Sequence, residues 1–317
     1  MDSWKRDYYE LLNKPNVANI NLDAALALKR KNLPRFLYRY RKVRASDPDD
    51  YTINSLESGE TWLSSPEKLN DPFDCALTFS ATAMAKHWHS SRLKEILDAT
   101  GHREAFTDAE IAEIETSPDP IRLMTEMAFK KEGKPLPPDL SDFISSLPDR
   151  ILGDVLENLV SKTKDSLRLC CFSENVKSTL MWSHYAEDHK GICLEYDLDT
   201  WKKHPLAIRL LHPVHYTDTR FDATQHLHPD YATNVYIPII AACNKAIDWA
   251  YENEWRFVVN GSIATAKPVI EFPGLVRIIL GAKAPDDVRQ KLESIPRLKS
   301  VPITKANLSK TTFSVEI

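Results

Sequence analysis

Short β-type runs separated by turn residues are the feature that most constrains how this chain can fold. Outside residues 84–165 they outnumber the long helical segments, and the clearest are FLYRYR at 36–41, TWLSS at 61–65, LRLCCFS at 167–173, GICLEYD at 191–197 and EWRFVVN at 254–260. A doubly wound parallel sheet would require regular strand–helix–strand units, and these are few. The pattern therefore predicts an α+β fold with a mixed, mostly antiparallel sheet.

Helical patterns at the start and in the middle of the chain predict its domain organisation. DYYELL and, after Asn21, LDAALALKRK have helical apolar spacing, so we interpret residues 1–33 as an N-terminal helical segment. Residues 84–165 are charged, rich in helical spacing and interrupted by prolines, as in SPDP and KPLPPDLS. We therefore expect a core domain at 34–317 that carries a helical insertion at about 84–165.

Composition argues against several classes of protein. The 317 residues include 8 Gly and 5 Cys, and the net charge is −4. Scarce Gly disfavours Gly-rich phosphate loops, and the negative charge gives no general attraction to nucleic acid or anionic membranes. An odd number of Cys without CxxC spacing disfavours a disulfide framework and a zinc ribbon. Without an apolar run typical of a membrane span or signal peptide, the sequence predicts a cytoplasmic protein with no membrane partner.

The first candidate site block alternates aromatic rings with cations on one strand. The period of two places Tyr38 and Tyr40 on one face of the strand and Arg39 and Arg41 on the other. Guanidinium groups hold phosphate or carboxylate groups through paired hydrogen bonds. The alternative interpretation is a half-exposed edge strand with aromatic packing.

The second block follows the strand TWLSS. Ser64 and Ser65 end that strand, and Asn70 and Asp71 precede a proline in LNDPFD. Such residues favour turn geometry, and they hydrogen-bond to neighbouring backbone groups. The block therefore predicts either a structural Asx turn or a rim of hydroxyl, amide and carboxylate groups facing a ligand.

The third block, MWSHYAEDHKG, combines rings with titratable groups. On a helix, Trp182 and Tyr185 share a face and could form a stacking wall for a nucleotide ring. His184 and Asp188 lie four residues apart, which would make an acid/base or orienting pair or a polar surface face. The spacing of His184 and His189 does not match metal ligation on a helix, so we expect no zinc site.

The fourth block runs from a helix predicted over residues 237–252 into the strand EWRFVVN. If the strand begins at once, Glu252, Glu254 and Arg256 point to the same face. Burying two carboxylates and a guanidinium group is costly unless they are paired. This block is the most suggestive of a function, and an ion pair between a glutamate and Arg256 is the structural alternative.

These blocks resemble a bacterial family known as domain of unknown function 2971. The matching segments are LYRYR, LSSPEKLNDPFD, CFSENVKSTLMWSHYAEDHKGICLEYD, KAIDWAYENEWRF and VRIILGAKAP, which extend over residues 37–317 apart from the insertion. No settled activity comes with that family. The order of the blocks is also similar to that of remote ADP-ribosyltransferases, whose split β core binds NAD in a cleft.

The second resemblance implies roles for individual residues. Arg39 or Tyr38 would be the first-strand residue, and Arg39 would grip the pyrophosphate. Glu254 would be the late catalytic glutamate, with Glu252 as its accessory. The resulting set has candidate catalytic groups at Glu254, Glu252 and His184, and candidate binding groups at Tyr38, Arg39, Ser64, Asn70, Asp71, Trp182, Tyr185 and Arg256.

Three functions remain open at this point. The resemblance implies an NAD-dependent ADP-ribosyltransferase or NAD glycohydrolase-like effector, in a toxin or anti-phage role, with NAD as substrate and a nucleic acid or protein as acceptor. A metal-dependent nuclease or nucleotide-processing effector is the second, using the carboxylates of Asp71, Asp74, Glu252 and Glu254. The third is a non-catalytic ligand sensor or adaptor. The first and third need no metal, and we favour a nucleotide as the ligand.

Overall fold

The computed structural model describes residues 3–80, 105–117, 119–226, 234–260 and 268–317. Its helices are α1 Ser3–Leu12, α2 Leu22–Lys31, α3 Tyr51–Ser58, α4 Asp108–Thr116, α5 Pro120–Lys131, α6 Pro138–Asp165, α7 Thr179–Tyr185, α8 Leu198–Trp201, α9 Pro205–Leu210, α10 Ile237–Ala242 and α11 Asp286–Ser294. Its strands are β1 Phe36–Arg41, β2 Thr61–Trp62, β3 Leu77–Thr78, β4 Leu167–Ser173, β5 Ile192–Asp197, β6 Leu211–Pro213, β7 His215–Thr217, β8 Phe221–Asp222, β9 Asn244–Ala246, β10 Glu254–Asn260, β11 Val269–Ile270, β12 Leu275–Leu280, β13 Ile303–Lys305, β14 Asn307–Leu308 and β15 Val315–Glu316.

A seven-stranded sheet in the order β13-β12-β5-β1-β4-β10-β6 forms the centre of the fold. Its neighbours run antiparallel except β12 and β13, which are parallel. The predicted α+β class with a mostly antiparallel sheet is therefore confirmed.

The central sheet has a seam between β1 and β4. β1 pairs with β5 along its whole length, from Phe36↔Asp197 to Arg41↔Ile192. In the described part of the chain, its pairing with β4 is confined to Tyr38↔Ser173. Farther along β4, Leu169 exchanges both backbone hydrogen bonds with Ser64 instead, at 2.8 and 2.9 Å. The two strands therefore separate after one point of contact.

Alternate side chains of the strands enter hydrophobic cores on opposite faces of the sheet. Leu37 of β1 and Trp255 of β10 lie in one core with residues of α3 and α11. Tyr38 and Val258 point to the other face, where α1, α2, α7 and α10 contribute side chains. Because helices cover both faces, β1, β4 and β10 lie inside the molecule.

Both helices predicted in the first 33 residues are present, and they dock on β6. The side chain of Asn21 caps α2 by accepting a hydrogen bond from the N–H of Ala24 at 3.1 Å. Tyr9 of α1 donates its hydroxyl to the carbonyl of Pro213 at 2.6 Å, and Lys29 of α2 donates to the carbonyl of Leu211 at 2.6 Å. These helices are therefore part of the folded unit that holds the end of the sheet.

The described part of the predicted insertion is helical. It consists of α4, α5 and α6. Residues 84–104 of the predicted insertion lie outside the described ranges. None of the helices described for the chain is long and apolar enough to span a membrane.

The single helix predicted over residues 237–252 is wrong. This stretch forms α10, β9 and a 3-10 turn at Ile247–Glu252. β9 pairs in parallel with β7, and the N–H of His215 bonds to the carbonyl of Cys243 at 2.8 Å. Pairing with a distant strand therefore replaces the helical hydrogen bonds that the local pattern favoured.

The helix predicted through Asp188 ends earlier, at Tyr185. Glu187, Asp188 and His189 follow it with φ values of 49°, 53° and 69°. The chain turns here to bring Gly191 against β1, where a Cβ atom would overlap a backbone carbonyl oxygen of that strand. This close approach requires Gly at position 191. The three preceding residues with positive φ form the turn that brings Gly191 there.

Candidate functional site

A cleft of about 510 Å³ opens along the seam between β1 and β4. Its walls come from β1, the loop after β1 with the start of α3, the segment after β2, β4, α7 and the stretch from β9 into β10. Sequence-predicted site residues line it from β1, from the segment after β2, from α7 and from the stretch that leads into β10: Tyr38, Arg39, Ser64, Asn70, Asp71, His184, Tyr185, Glu252, Glu254 and Arg256. The fold thus brings an early guanidinium group and two late carboxylates to the same cavity.

Arg256 organises the buried charges at one end of the cleft. It is fully buried, and its Nε and Nη2 donate to the two carboxylate oxygens of Glu254 at 2.9 and 3.0 Å. Its Nη1 donates to Asp74 Oδ1 at 2.8 Å and to the carbonyl of Ala242 at 2.6 Å. The ion pair between a glutamate and Arg256, which was the structural alternative, is therefore present.

Lys245 joins the two glutamates and was not singled out from the sequence. Its Nζ donates to Glu252 Oε2 at 2.5 Å and to Glu254 Oε2 at 3.0 Å. It also lies 4.9 Å from the ring centroid of Trp249, a second lining residue that sequence reasoning missed. Both stand in the block KAIDW, but their orientation depends on the pairing of β9 with β7.

The two glutamates have opposite pKa shifts. Burial raises the pKa of Glu254, but Arg256 and Lys245 outweigh burial and hold that pKa well below its usual value. Burial and the negative charge of Glu254 raise the pKa of Glu252. Glu254 is therefore a fixed negative charge, whereas Glu252 is the carboxylate that takes up a proton more readily.

Tyr185 and Ser173 hold Glu252 in place. The Tyr185 hydroxyl donates to Glu252 Oε1 at 2.6 Å, and the Ser173 hydroxyl donates to the carbonyl of Glu252 at 2.5 Å. Burial and the Glu252 carboxylate raise the pKa of Tyr185, so its proton stays on the phenol at neutral pH. Asn253 then takes a left-handed φ of 43°, which sets the start of β10.

Arg39 and Arg41 of β1 also line the cleft. Arg39 donates to the Thr61 hydroxyl at 3.2 Å, and Arg41 donates to the Thr52 hydroxyl at 3.3 Å while lying over the Tyr51 ring at 5.0 Å. Burial and the neighbouring charge of Arg39 lower the pKa of Arg41 to about 10. The loop that follows β1 adds Lys42, Arg44, Asp47, Asp49 and Asp50 to the lining, so both signs of charge are present there.

The structure overturns the predicted stacking role of Trp182. Its ring is fully buried, packs edge-on against Tyr40 with centroids 5.0 Å apart and stacks on His189, and its Nε1 donates to the carbonyl of Val176 at 2.9 Å. Trp182 is not among the residues that line the cleft. The ring belongs to the core because α7 packs directly on β1.

The predicted pair of His184 and Asp188 is also wrong. The helix ends between these residues, and Asp188 has a positive φ, so the two side chains do not share a helical face. His184 still lines the cleft, near the rings of Tyr185 and Tyr251. Its partners are aromatic rather than acidic.

The LNDPFD segment forms the structural turn that was one of its two interpretations. Asp71 Oδ1 accepts the N–H of Phe73 at 2.8 Å, while Asn70 and Asp71 line the cleft. Asp74, Glu252 and Glu254 already contact Arg256 or Lys245, so a cation bound by them would have to displace these groups. Within the described ranges, no group of three or more His, Cys, Asp or Glu side chains is arranged to hold a metal ion.

Fold and site together define a mixed α+β protein with a charged cleft at a seam in its sheet. Residues 181–257 match the model of a family described as a protein of unknown function (DUF2971). The resemblance to that family is therefore confirmed over the stretch from α7 into β10. Nothing among the curated proteins or the solved structures matches the chain.

Proposed function

We propose that this cleft binds NAD and that the protein transfers the ADP-ribose group to an acceptor or to water. The observation that carries the proposal is the placement of Arg39 and of Glu252 and Glu254 around one cavity. The separation of β1 from β4 supports the expectation of a split, ADP-ribosyltransferase-type core. A role as a toxin or anti-phage effector is a further expectation from that resemblance.

The reaction would break the bond between the ribose C1′ atom and the nicotinamide nitrogen. The bonding electron pair leaves with nicotinamide, and an oxygen or nitrogen of the acceptor bonds to C1′ and loses a proton. Positive charge that develops on the ribose is stabilised by a nearby fixed carboxylate, which Glu254 supplies. Glu252, with its raised pKa, takes the acceptor proton.

Aromatic rings near Glu252 would hold nicotinamide, the leaving group. Tyr185 and Trp249 both line the cleft there. Flat rings stack on aromatic faces, and a stacked nicotinamide would place its ribose bond near Glu252. Tyr185 would then act twice, because its hydroxyl also orients the Glu252 carboxylate at 2.6 Å.

Release of nicotinamide from NAD tests this function. Purified protein is incubated with NAD, alone and with RNA, DNA or protein acceptors, and nicotinamide is measured by chromatography. We expect Glu252→Gln and Glu254→Gln to lower release by about 100-fold or more while the protein stays folded. Glu174→Gln is the matched control because this carboxylate accepts from Trp255 at 2.6 Å outside the cleft lining. The absence of nicotinamide release with every acceptor class would refute the proposal.

A non-catalytic ligand sensor is the second candidate, and one observation favours it. Both oxygens of Glu254 are already hydrogen-bonded to Arg256, and Lys245 adds a third donor. Such closed ion-pair networks also occur as purely structural elements. A sensor would be stabilised by saturating NAD or ADP-ribose in a thermal-shift assay and would release no nicotinamide.

A further inference from the structure

We infer that Arg39 and Arg41 together form a binding subsite for a phosphate or pyrophosphate group. The two residues are two positions apart on β1, so their side chains leave the same face of the strand. Both line the cleft. The inference rests on the proposed function only in taking that group to be the pyrophosphate of NAD.

Among the described residues, the hydrogen-bond partners of both arginines are uncharged. Arg39 is only 8% exposed and donates to a threonine hydroxyl, and the contacts of Arg41 are a threonine hydroxyl and a tyrosine ring. Within the ranges that the structure describes, neither residue forms an ion pair with a carboxylate. In the same cleft, Arg256 and Lys245 each pair with carboxylates.

Three aspartates of the loop after β1 also line the cleft, and within the described residues none of them forms an ion pair with Arg39 or Arg41: Asp47, Asp49 and Asp50. Asp50 favours the charged form of Arg41, but its two oxygens accept the backbone N–H groups of Ile53 and Arg44, each at 2.9 Å. Asp50 therefore caps α3 and acts on Arg41 only through space, without a hydrogen bond between them in the described part of the chain. The Arg44 side chain pairs with Glu187 at 3.4 Å.

Arg39 is buried and Arg41 is partly buried, and a charge in such a position destabilises the folded protein unless an opposite charge joins it. Removing a charge from water costs several kcal/mol, and only an opposite charge with good hydrogen bonds offsets this cost. Planar guanidinium groups bind phosphate oxygens through paired, charge-assisted hydrogen bonds. Two of them side by side suit a group with at least two negative charges, and pyrophosphate is the probe that represents it.

Calorimetric titration of the whole protein with inorganic pyrophosphate and with ADP-ribose tests the subsite. We expect Arg39→Gln and Arg41→Gln each to weaken the binding of both probes by about tenfold or more. Arg44→Gln is the matched control, since this residue lines the cleft but already has Glu187 as its partner; its affinity should stay within about threefold of the wild type. Arg41→Lys keeps the charge but loses the paired geometry, so it should weaken binding by about three- to tenfold.

A second readout separates a ligand subsite from a purely structural role. Removing a partly buried charge that forms no ion pair within the described residues should raise the melting temperature of the ligand-free protein, by about 2 °C for Arg41→Gln, while the same change lowers pyrophosphate affinity. A structural arginine would give a lower melting temperature and unchanged affinity. If Gln variants do not fold, the Lys variant and the wild-type titration still decide the matter.

The two proposals fail in different ways. Failure of the folded wild type to bind pyrophosphate or ADP-ribose at millimolar concentration overturns the subsite, as does unchanged affinity in both Gln variants. Pyrophosphate binding without nicotinamide release leaves the subsite standing and counts against NAD cleavage. Nicotinamide release that is unaffected by Arg39→Gln and Arg41→Gln supports NAD cleavage and overturns the subsite.

Discussion

Replacing Arg256 by Met should destabilise the fold more than any surface charge change. Arg256 is fully buried, and among the described residues it is the only side chain that donates to the Asp74 carboxylate. The Met variant would bury Asp74 without the Arg256 counterion and would leave Lys245 as the remaining cation that contacts Glu254 among the described residues. The volume of the side chain is nearly kept, so the loss would come from charge rather than from packing.

The size of the effect follows from the cost of breaking a buried ion pair, which is about 3–5 kcal/mol. An unfolding entropy of about 2.1 cal/mol/K per residue gives about 0.7 kcal/mol/K for the 317 residues. The melting temperature should therefore fall by about 4–8 °C. Scanning calorimetry at pH 7 measures it.

A surface pair provides the control. Arg289 lies 3.5 Å from Glu293 with both side chains at least one-third exposed, so Arg289→Met should cost less than about 1 kcal/mol. Adding Asp74→Asn to Arg256→Met should restore part of the stability, because the uncompensated charge is then gone. A loss below about 1 kcal/mol for Arg256→Met, or no recovery in the double variant, would refute the reasoning.

The pH dependence of the same variant gives an independent check. The depressed pKa of Glu254 contributes stability that is present above the unfolded-state pKa of about 4.3 and is lost as pH falls below it. Arg256→Met removes much of that contribution. The stability difference between wild type and variant should therefore narrow between pH 5 and pH 3, as followed by urea unfolding; a constant difference would contradict the assignment.

Three other changes have clear expected outcomes. Burial lowers the pKa of Lys29 from 10.5 to about 7, so the free energy of unfolding should rise with pH between these two values. Urea unfolding should show that the wild type gains about 2 kcal/mol relative to Lys29→Met from pH 7 to pH 9. Gly191→Ala should destabilise by more than about 2 kcal/mol because its Cβ would overlap a β1 carbonyl, whereas Gly153→Ala, with open space in α6, should stabilise by about 0.5–1 kcal/mol in thermal melts. Tyr185→Phe removes a hydrogen bond that lowers the pKa of Glu252, so the acid limb of the nicotinamide-release profile should move to higher pH; an unmoved limb would remove Glu252 from the titrating step.

Strand patterns predicted much of the fold, because alternation along a strand is a local property. The period of two placed Arg39 and Arg41 opposite Tyr38, and it placed Glu254 with Arg256 on one face of β10. The structure has both arrangements. Helix ends were less accurate, as at Tyr185, because they depend on contacts with distant strands.

The composition of the site was only partly accessible from sequence. Lys245 and Trp249 reach the cleft because β9 pairs with β7, and no local pattern encodes that pairing. Trp182 looked suited to stacking, yet its ring fills the core beside Tyr40. A large ring next to polar residues has the same local sequence in either role, and only the packing of α7 on β1 distinguishes the two.

The single point of pairing between β1 and β4 also has a mechanical consequence. A continuous ladder makes strands open and close as one unit, and a break in the ladder divides a sheet into units that fluctuate separately. A ligand bound between Arg39 and Glu252 would contact both units and would couple their fluctuations across the break. Ligand binding should then lower the hydrogen-exchange rates of backbone amides on both sides of the break. Slower exchange throughout the sheet would therefore indicate that the cleft is occupied.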